Sequence, residues 1–561
     1  MKTNEFKNKY YYIKNFYYLG SNLRVKDKIF LNIEGEYYDL FKERLDHGYY
    51  EILPEGIKVN LKLTAKEIDG YSIHITFKNR IDVSFNNTRS LLYVINVLND
   101  LAYVDGDDVV LPMCLIEDEA SFLYRGIVEG FYGEPWSHRN RIDMVNFMSN
   151  HRLNAYMYAP KCDRYHRDKW YELYPQDEID KFNLLNKLMK REKIDFYYCI
   201  SPGHAPAGEE KFIYVGDSDF IRLFKKLDQL IEIGITSFGL LLDDIDYNLS
   251  GENLRIFKRP GLAHAHICNR VYEYLNSKVD NLKFVMCPTE YHEIGESEYR
   301  KDLRENLNKN IYAYWTGDNV CAEVITDEQI LLTQEAYGNK IILWENFPVT
   351  DFTYGVRQYM GPILNRSVDM YKYIDGFFIN PMEYYEISKV SMITECHYAW
   401  NTCRYDSEKS FEIALKEIGE EFYKYGLDYI NYNLPSVLTY GNLDFEKTLV
   451  KSKDYEGILI YYDKVWESCN KLLDLDLPII DELKPWLLRV GKEYEVVRRI
   501  INGKIEHQEL LFLLDDIHFS GSELFDYLVK QEGLLSEEEY ETLIKKRRGN
   551  PWYRVWEYKR G

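Results

Sequence analysis

Eight short apolar runs succeed one another between Gly126 and Pro381, and this succession restricts the fold more than any other feature of the chain. They are Gly126–Tyr132, Ala155–Pro160, Phe196–Pro202, Ser237–Ile245, Phe284–Tyr291, Ile311–Gly317, Ile341–Phe347 and Gly376–Pro381. Near-continuous apolar runs of this length suit strands buried on both faces, as in parallel sheets. Amphipathic stretches lie between them. In Asp219–Ile233, Phe220, Phe224, Leu227 and Ile231 recur at helical spacing, and Ile179–Lys193 reads the same way. Alternating strand and helix signals over roughly 275 residues predict a (β/α)8 barrel of the TIM type. The rival, an open doubly wound sheet, needs a glycine-rich phosphate loop after its first strand, and none follows Tyr132.

Most of the runs begin apolar and finish in polar or aromatic groups: Glu129-Gly130-Phe131-Tyr132, Asp243-Asp244, Glu290-Tyr291, Trp315-Thr316-Gly317, Glu345-Asn346 and Asn380. Barrel enzymes assemble their sites at the carboxyl ends of the strands, so these groups are the candidates for chemistry.

The flanks read differently. Residues 1–122 form a mixed α/β unit on the pattern of Ile57–Leu63, Tyr71–Phe77 and Ile81–Phe85, which alternate apolar and polar as half-buried strands do. Asn87-Thr88 then opens a helix over Arg89–Leu101. With no catalytic constellation there, a supporting role is expected. The barrel is assigned to 123–405 and a helical bundle to 406–561, where Phe445–Leu473 and Ile480–Ile501 carry apolar residues at helical spacing. The terminal basic and aromatic stretch Lys545–Arg560 reads as a segment that docks on the barrel, with partner binding as the alternative.

The pentapeptide LLDDI occurs twice, at Leu241–Ile245 and Leu513–Ile517. In the second, Leu510, Leu511, Leu513, Leu514 and Ile517 mark one helical face, which sends Asp515 and Asp516 toward solvent. The first ends a β run, where a barrel places its chemistry. Adjacent residues of a regular strand point to opposite faces, so Asp243 and Asp244 reach one pocket only if the pleat breaks there. Close like charges raise the proton affinity of one partner, which keeps one carboxyl protonated as an acid beside an ionised neighbour. Two carboxylates suggest glycoside hydrolysis. Neighbours sit too close to flank a glycosidic bond as acid and nucleophile. That favours help from the substrate: a 2-acetamido sugar whose carbonyl oxygen attacks its own anomeric carbon to give an oxazoline. One carboxylate then orients the amide, and the other protonates the leaving oxygen and activates water. A helix cap or a loop carboxylate is the plain alternative.

Composition narrows the partners. Lys+Arg 70 against Asp+Glu 91 gives a net charge of −21, which argues against nucleic acid or an anionic membrane as partner and disfavours polyanionic polymers as substrates. Nine scattered cysteines without a C-x-x-C pair read as reduced thiols. The first twenty residues hold no apolar leader segment, so a cytoplasmic protein is expected. The 51 tyrosines are spread over the whole chain and fit a compositional bias better than a sugar-binding signature.

The segment Tyr124–Pro175 (YRGIVEGFYGEPW…WYELYP) resembles the opening of the catalytic barrel of glycoside hydrolase family 84, the family of protein O-GlcNAcases and related bacterial β-N-acetylglucosaminidases. FGLLLDDID (Phe238–Asp246), MCPTEY (Met286–Tyr291), YWTGDNV (Tyr314–Val320), WENFPVTD (Trp344–Asp351) and INPMEY (Ile379–Tyr384) match later motifs in order. The flanks resemble the family's small N-terminal α/β domain and helical C-terminal domain. The resemblance implies a retaining exo-β-N-acetylglucosaminidase acting through an oxazoline on O-linked GlcNAc of proteins or glycosides. It implies that Asp243 orients the acetamido group, Asp244 is the general acid/base and Tyr291 hydrogen-bonds at the reacting centre. Gly130, through its carbonyl, and Lys161 would hold sugar hydroxyls. Asp351 would bind the far edge of the ring, with Asn346 and Asn380 beside it. Tyr132, Cys287 and Trp344 would line the acetyl pocket.

Bland readings stand beside these: Gly130 as a turn glycine, Lys161 paired with Asp163 at the surface, Cys287 as core, Asn346 and Asn380 as helix caps. The loop Pro202–Asp219 does not follow the family pattern and leaves the aglycone preference open. No cofactor is expected, and no metal: His264 and His266 face apart on a helix, and Cys162 with His166 has no companion pair. No G-x-S-x-G, Walker A or dinucleotide motif occurs. Two other functions remain in view, a catalytically silent barrel that binds O-GlcNAc and a hyaluronidase-type endoglycosidase. The sequence also leaves room for a homodimer.

Overall fold

The structure is a computed structural model and describes residues 6, 8–76, 80–203, 212–353, 358–439, 443–516, 523–539 and 542. The first strands, β1 (Asn15–Val25), β2 (Ile29–Asn32), β3 (Tyr50–Ile52), β4 (Ile57–Leu63), β5 (Gly70–Thr76), β6 (Arg80–Phe85), β7 (Tyr103–Asp105) and β8 (Asp108–Glu119), form one mixed sheet. Its order is β1-β8-β5-β6-β4-β2-β3, with β7 paired to β8. The helix Thr88–Leu101 packs on β5 and β6. Asn87 caps that helix by accepting a hydrogen bond from the Ser90 N–H at 3.0 Å, which satisfies one of the donors a helix start leaves open.

The next eight strands close into a parallel barrel: β9 (Tyr124–Glu129), β10 (Ala155–Tyr158), β11 (Asp195–Ile200), β12 (Ser237–Leu241), β13 (Lys283–Cys287), β14 (Tyr312–Trp315), β15 (Ile341–Pro348) and β16 (Gly376–Asn380). Each corresponds to one of the eight apolar runs. Alternate residues divide cleanly. Val128, Met157, Cys199, Leu241, Val285, Tyr314, Ile342 and Phe378 form one buried cluster, the filling of the barrel. Their neighbours Ile127, Tyr156, Tyr198, Leu240, Met286, Trp315, Leu343 and Phe377 belong to the larger core between strands and helices.

The amino end of the barrel rests on the first unit. Arg125 at the start of β9 is buried and ion-paired with Asp69, and Arg152 pairs with Asp118 at 2.7 Å. Trp400, at the end of the helix Tyr385–Trp400, donates its indole N–H to Asp118 at 3.0 Å and lies in the core of the first unit.

Helices follow the barrel, with their own core around Phe422, Tyr462, Leu483 and Val497. The stretch Phe445–Leu473, which carries apolar residues at helical spacing, holds two helices, Leu443–Lys451 and Tyr455–Leu473. Lys453 takes a left-handed φ of 57°, and the Asp454 side chain caps the second helix by accepting from the Gly457 N–H. The apolar period runs through this break, so the period alone hides it. Ser407–Ile418 and Glu420–Asn433 are two further helices.

The second LLDDI lies at the end of the helix His507–Asp516, and the side chains of Leu514, Asp515 and Asp516 lie outside the described residues. So do Lys545–Arg560 and residues 204–211 of the loop after Pro202. Among the described residues, no helix is long and apolar enough to cross a membrane.

Candidate active site

A cavity of about 500 Å3 opens at the carboxyl end of the barrel, a usual size for a small-molecule site. Strand alternation explains most of its lining. Two-residue steps beyond the inward-facing positions lead from Val128 to Gly130, from Met157 to Lys161, from Leu241 to Asp243, from Tyr314 to Thr316, from Ile342 to Trp344 and Asn346, and from Phe378 to Asn380. Cys287, at the end of β13, follows the same parity. The cavity thus brings together all the residues to which the family resemblance gave a role, since Tyr132, Asp244, Tyr291 and Asp351 complete its wall. It also holds Thr316, one of the strand-end groups, and Asn319, Val320, Cys321, Val349 and Phe352, which the sequence reading did not single out.

The pleat breaks where the aspartate pair needs it to. β12 ends at Leu241, and Asp243 and Asp244 sit in the turn that follows. Leu242 donates its N–H to the Cys287 carbonyl at 2.8 Å, and the Thr289 hydroxyl donates to the Leu242 carbonyl at 2.6 Å. These bonds tie the turn to β13 and fix both carboxyls at the cavity wall.

One ammonium serves both acids. Lys161 is ion-paired with Asp243 Oδ2 and lies 3.0 Å from Asp244 Oδ2. Asp163, its alternative partner, is occupied instead by the Tyr158 and Tyr174 hydroxyls. Asp244 Oδ2 also accepts from the Tyr132 hydroxyl at 2.6 Å and lies 3.6 Å from Arg167. Asp243 Oδ1 is buried and has no hydrogen-bond partner among the described residues, and neither has Asn380 Oδ1. Buried polar atoms without partners are rare and costly, so two of them at one cavity wall mark places where a ligand would donate.

Burial drives the proton affinities apart. It raises the Asp243 carboxyl despite Lys161. Burial pushes Asp244 the same way, but Lys161 and Arg167, with the Tyr132 hydrogen bond, outweigh it and hold the group well below the usual carboxylate range. Asp351 is pushed up to about 6 by burial, against the pull of the Tyr132 N–H that it accepts at 2.9 Å. Burial raises the Tyr132 phenol to about 12, and it raises Tyr291 as well, so both are neutral donors at ordinary pH.

The far wall is built on Trp344. Its indole N–H donates to Asn346 Oδ1 at 3.0 Å, and Asn380 donates to the same oxygen at 2.8 Å. Asn346 in turn donates to the Val320 carbonyl at 2.7 Å. Both asparagines are therefore wall, and neither caps a helix. β15 advances from Glu345 to Pro348 while β16 advances only from Ile379 to Asn380, a bulge of the kind that re-aims side chains at barrel rims. Gly130 leaves room for no side chain while the Trp344 ring keeps its place: a Cβ would lie 2.4 Å from that ring.

Three strand-end carboxylates expected at the site lie elsewhere. Glu129 and Glu345 have the outward parity. Glu129 takes two hydrogen bonds from Arg141, at 2.6 and 2.8 Å, and another from the Tyr156 hydroxyl. Glu345 takes two from Arg366, at 2.6 and 2.8 Å. Glu290 accepts from Ser297 and Tyr247 and is absent from the cavity wall. Among the described residues, no group of three or more His, Cys, Asp or Glu side chains is placed to hold a metal ion.

The model of the beta-N-acetylglucosaminidase family matches residues 125–428, more than half of the chain. The chain belongs to this family of glycoside hydrolases. Over 275 residues, 48% of its length, it is 31% identical to the protein O-GlcNAcases of Rattus norvegicus and Mus musculus, and it spans 29% of the length of those relatives. Among solved structures, a mutant of the O-GlcNAc hydrolase of Thermobaculum terrenum superposes with a TM-score of 0.66 at 26% identity, covering 77% of this chain and 98% of that one. CpGH84B, at 24% identity, superposes with a TM-score of 0.72 over 95% of this chain and 99% of its own. The likeness to CpGH84B in fold therefore takes in the flanking units as well as the barrel. Within the family's matched segment lie both acids, Lys161 and the Trp344 wall.

Proposed function

We propose that this chain is a retaining exo-β-N-acetylglucosaminidase that removes β-linked GlcNAc from proteins or glycosides with the help of the substrate's own acetamido group. The observation that carries the reading is the adjacent pair Asp243 and Asp244, turned to one cavity and joined by one lysine. Carboxyls so close leave no room for a sugar between them, as an enzyme nucleophile opposite an acid requires. The nucleophile is then the acetamido oxygen. Asp243, whose Oδ1 lacks a partner, accepts the amide N–H and steadies the positive charge that develops on the oxazoline. Asp244 protonates the departing oxygen and later takes a proton from water. Tyr291 donates to the acetamido group. Tyr132, Cys287 and Trp344 enclose its methyl.

The remaining polar groups hold the ring. Lys161 and the Gly130 carbonyl take sugar hydroxyls near the reacting centre. Asp351, Asn346 and Asn380 take those on the far edge.

Lys161, Arg167 and the Tyr132 hydrogen bond hold Asp244 ionised, whereas the first step needs its proton. A sugar hydroxyl that engages Lys161 weakens the ammonium's hold on Asp244 and thus raises its proton affinity in the complex. The same observation favours a second reading, a barrel that binds GlcNAc without cleaving it. Turnover separates the two. The enzyme reading expects release of the aryl alcohol from an aryl β-GlcNAc, with β-GlcNAc as first product by NMR and inhibition by a GlcNAc-thiazoline. Binding of the thiazoline without turnover of any β-GlcNAc glycoside would leave the second reading in place.

A further inference from the structure

Arg167 lies behind the cavity wall and does not line it. It is 4% exposed, and it sits in the segment between β10 and the helix Gln176–Arg191, six positions after Lys161. Its guanidinium lies over the Tyr132 ring, 5.5 Å from the centroid, and donates to the Tyr132 hydroxyl at 3.4 Å. A second nitrogen lies 3.6 Å from Asp244 Oδ2.

The direction of these bonds matters. A guanidinium only donates. The Tyr132 oxygen therefore accepts from Arg167, and its own proton points to Asp244 Oδ2 at 2.6 Å. Lys161 approaches the same oxygen at 3.0 Å. Two donors, the Tyr132 hydroxyl and the Lys161 ammonium, thus converge on Oδ2, with the Arg167 charge close behind them.

We propose that Arg167 is a positioning residue for Asp244: through Tyr132 and its own charge it reserves Oδ2 for protein donors, so that Oδ1 alone exchanges the proton with the leaving oxygen and with water. This rests on the reading of Asp244 as the acid/base. In the first step the Oδ1–H bond breaks as the glycosidic oxygen takes the proton, and the carboxylate left behind carries its charge chiefly on Oδ2 against Arg167. In the second step Oδ1 removes a proton from water as the oxazoline opens, which restores the acid. The cation favours the ionised acid in both directions and so sets the pH at which protonated acid runs out.

Asp244 has other charged and titratable neighbours. Asp243 shares its turn, and Lys161 reaches it from the segment after β10. Tyr291 and Cys287 face it from the end of β13, and Asp351 from the segment after β15. Arg167→Met changes none of these and removes both the charge and the donors.

The test is the pH dependence of kcat/KM on a phenyl-type, poorly leaving β-GlcNAc glycoside. Arg167→Met is expected to move the alkaline limb up by about one to two pH units, since a nearby cation no longer favours the ionised acid. A dinitrophenyl-type glycoside, which needs little acid help, should keep most of its rate. Arg167→Lys should keep the limb closer to wild type. Should Arg167→Met fail to fold, Tyr132→Phe, which removes the relay hydroxyl, should move the limb the same way by a smaller amount. An unmoved limb in the folded variants overturns the proposal, as does an equal loss on both glycosides at every pH. If the wild-type chain cleaves no β-GlcNAc glycoside, the proposed function itself fails and this inference falls with it.

Discussion

The two ends of the barrel carry the same kinds of charge and use them in opposite ways. At the base, buried acids are fully engaged. Asp69 accepts from Arg125, from Arg89 at 3.1 Å and from Asn87 at 3.0 Å, and Asp118 from Arg152, the Tyr71 hydroxyl and Trp400. At the mouth, Asp243 and Asp244 share one lysine, a more distant arginine lies near Asp244, Asp351 accepts from the Tyr132 backbone N–H, and Asp243 Oδ1 has no partner among the described residues. Burial raises the Asp69 carboxyl, but Arg89 and Arg125 override it and hold the group below its usual range, whereas burial wins at Asp243 and Asp351. A matched set locks the chain; a set short of donors waits for a ligand to supply them.

Substitution should separate the two ends. At the mouth, Asp244→Ala is expected to lower kcat/KM on a poor leaving group by about 10²- to 10⁴-fold, the usual worth of a general acid, and to spare an activated glycoside far more. An equal loss on both would break the assignment. At the base, Asp69→Ala strands Arg125 in the interior. Its expected cost is about 3–5 kcal/mol of stability, read from urea melts, with the rate per folded molecule unchanged. A large fall in that rate without a change in the melt would mean that the base takes part in the chemistry after all.

Much of this contrast can be read in the sequence, and the rest fails for identifiable reasons. Eight apolar runs declare eight strands because a strand buried on both faces has no polar alternation to hide it. The site residues follow because inward parity carries past the strand end, as from Leu241 to Asp243 and from Ile342 to Asn346. Glu129 and Glu345 mislead only while parity is ignored. Each flanks an inward-facing neighbour, Val128 or Trp344, and so must point outward to its arginine. Arg167 leaves no such trace. It lies in irregular chain between β10 and the next helix, where no period applies, and only tertiary packing brings it under Tyr132. The break at Lys453 escapes for the converse reason, because the period survives it.

A smaller effect is expected at Gly130. Any Cβ there meets Trp344 at 2.4 Å, so Gly130→Ala must displace the indole that positions Asn346. Roughly a ten- to hundredfold loss in kcat/KM is expected from such a shift, with little change in the melt. A wild-type rate would show that the Trp344 wall yields, and that the mouth is less fixed than the base.

Asp351 offers the finest comparison, because its carboxyl titrates at about 6 in the fold and near 4 in an unfolded chain. Between these values the folded protein holds a proton that the unfolded chain has released. Stability contributed by this group is therefore complete below about pH 4 and declines as pH rises toward 6, the reverse of a carboxylate such as Asp69 whose affinity is lowered by folding. Asp351→Asn should remove that decline from a series of urea melts. Sugar binding should run the other way: the ionised carboxylate accepts hydroxyl hydrogen bonds more strongly, so affinity for a GlcNAc-type inhibitor should rise a few-fold as pH passes about 6. Calorimetric titration across that range would show it. A flat profile in the wild type would mean that Asp351 is already ionised, and that the mouth has found a donor for it as complete as those at the base.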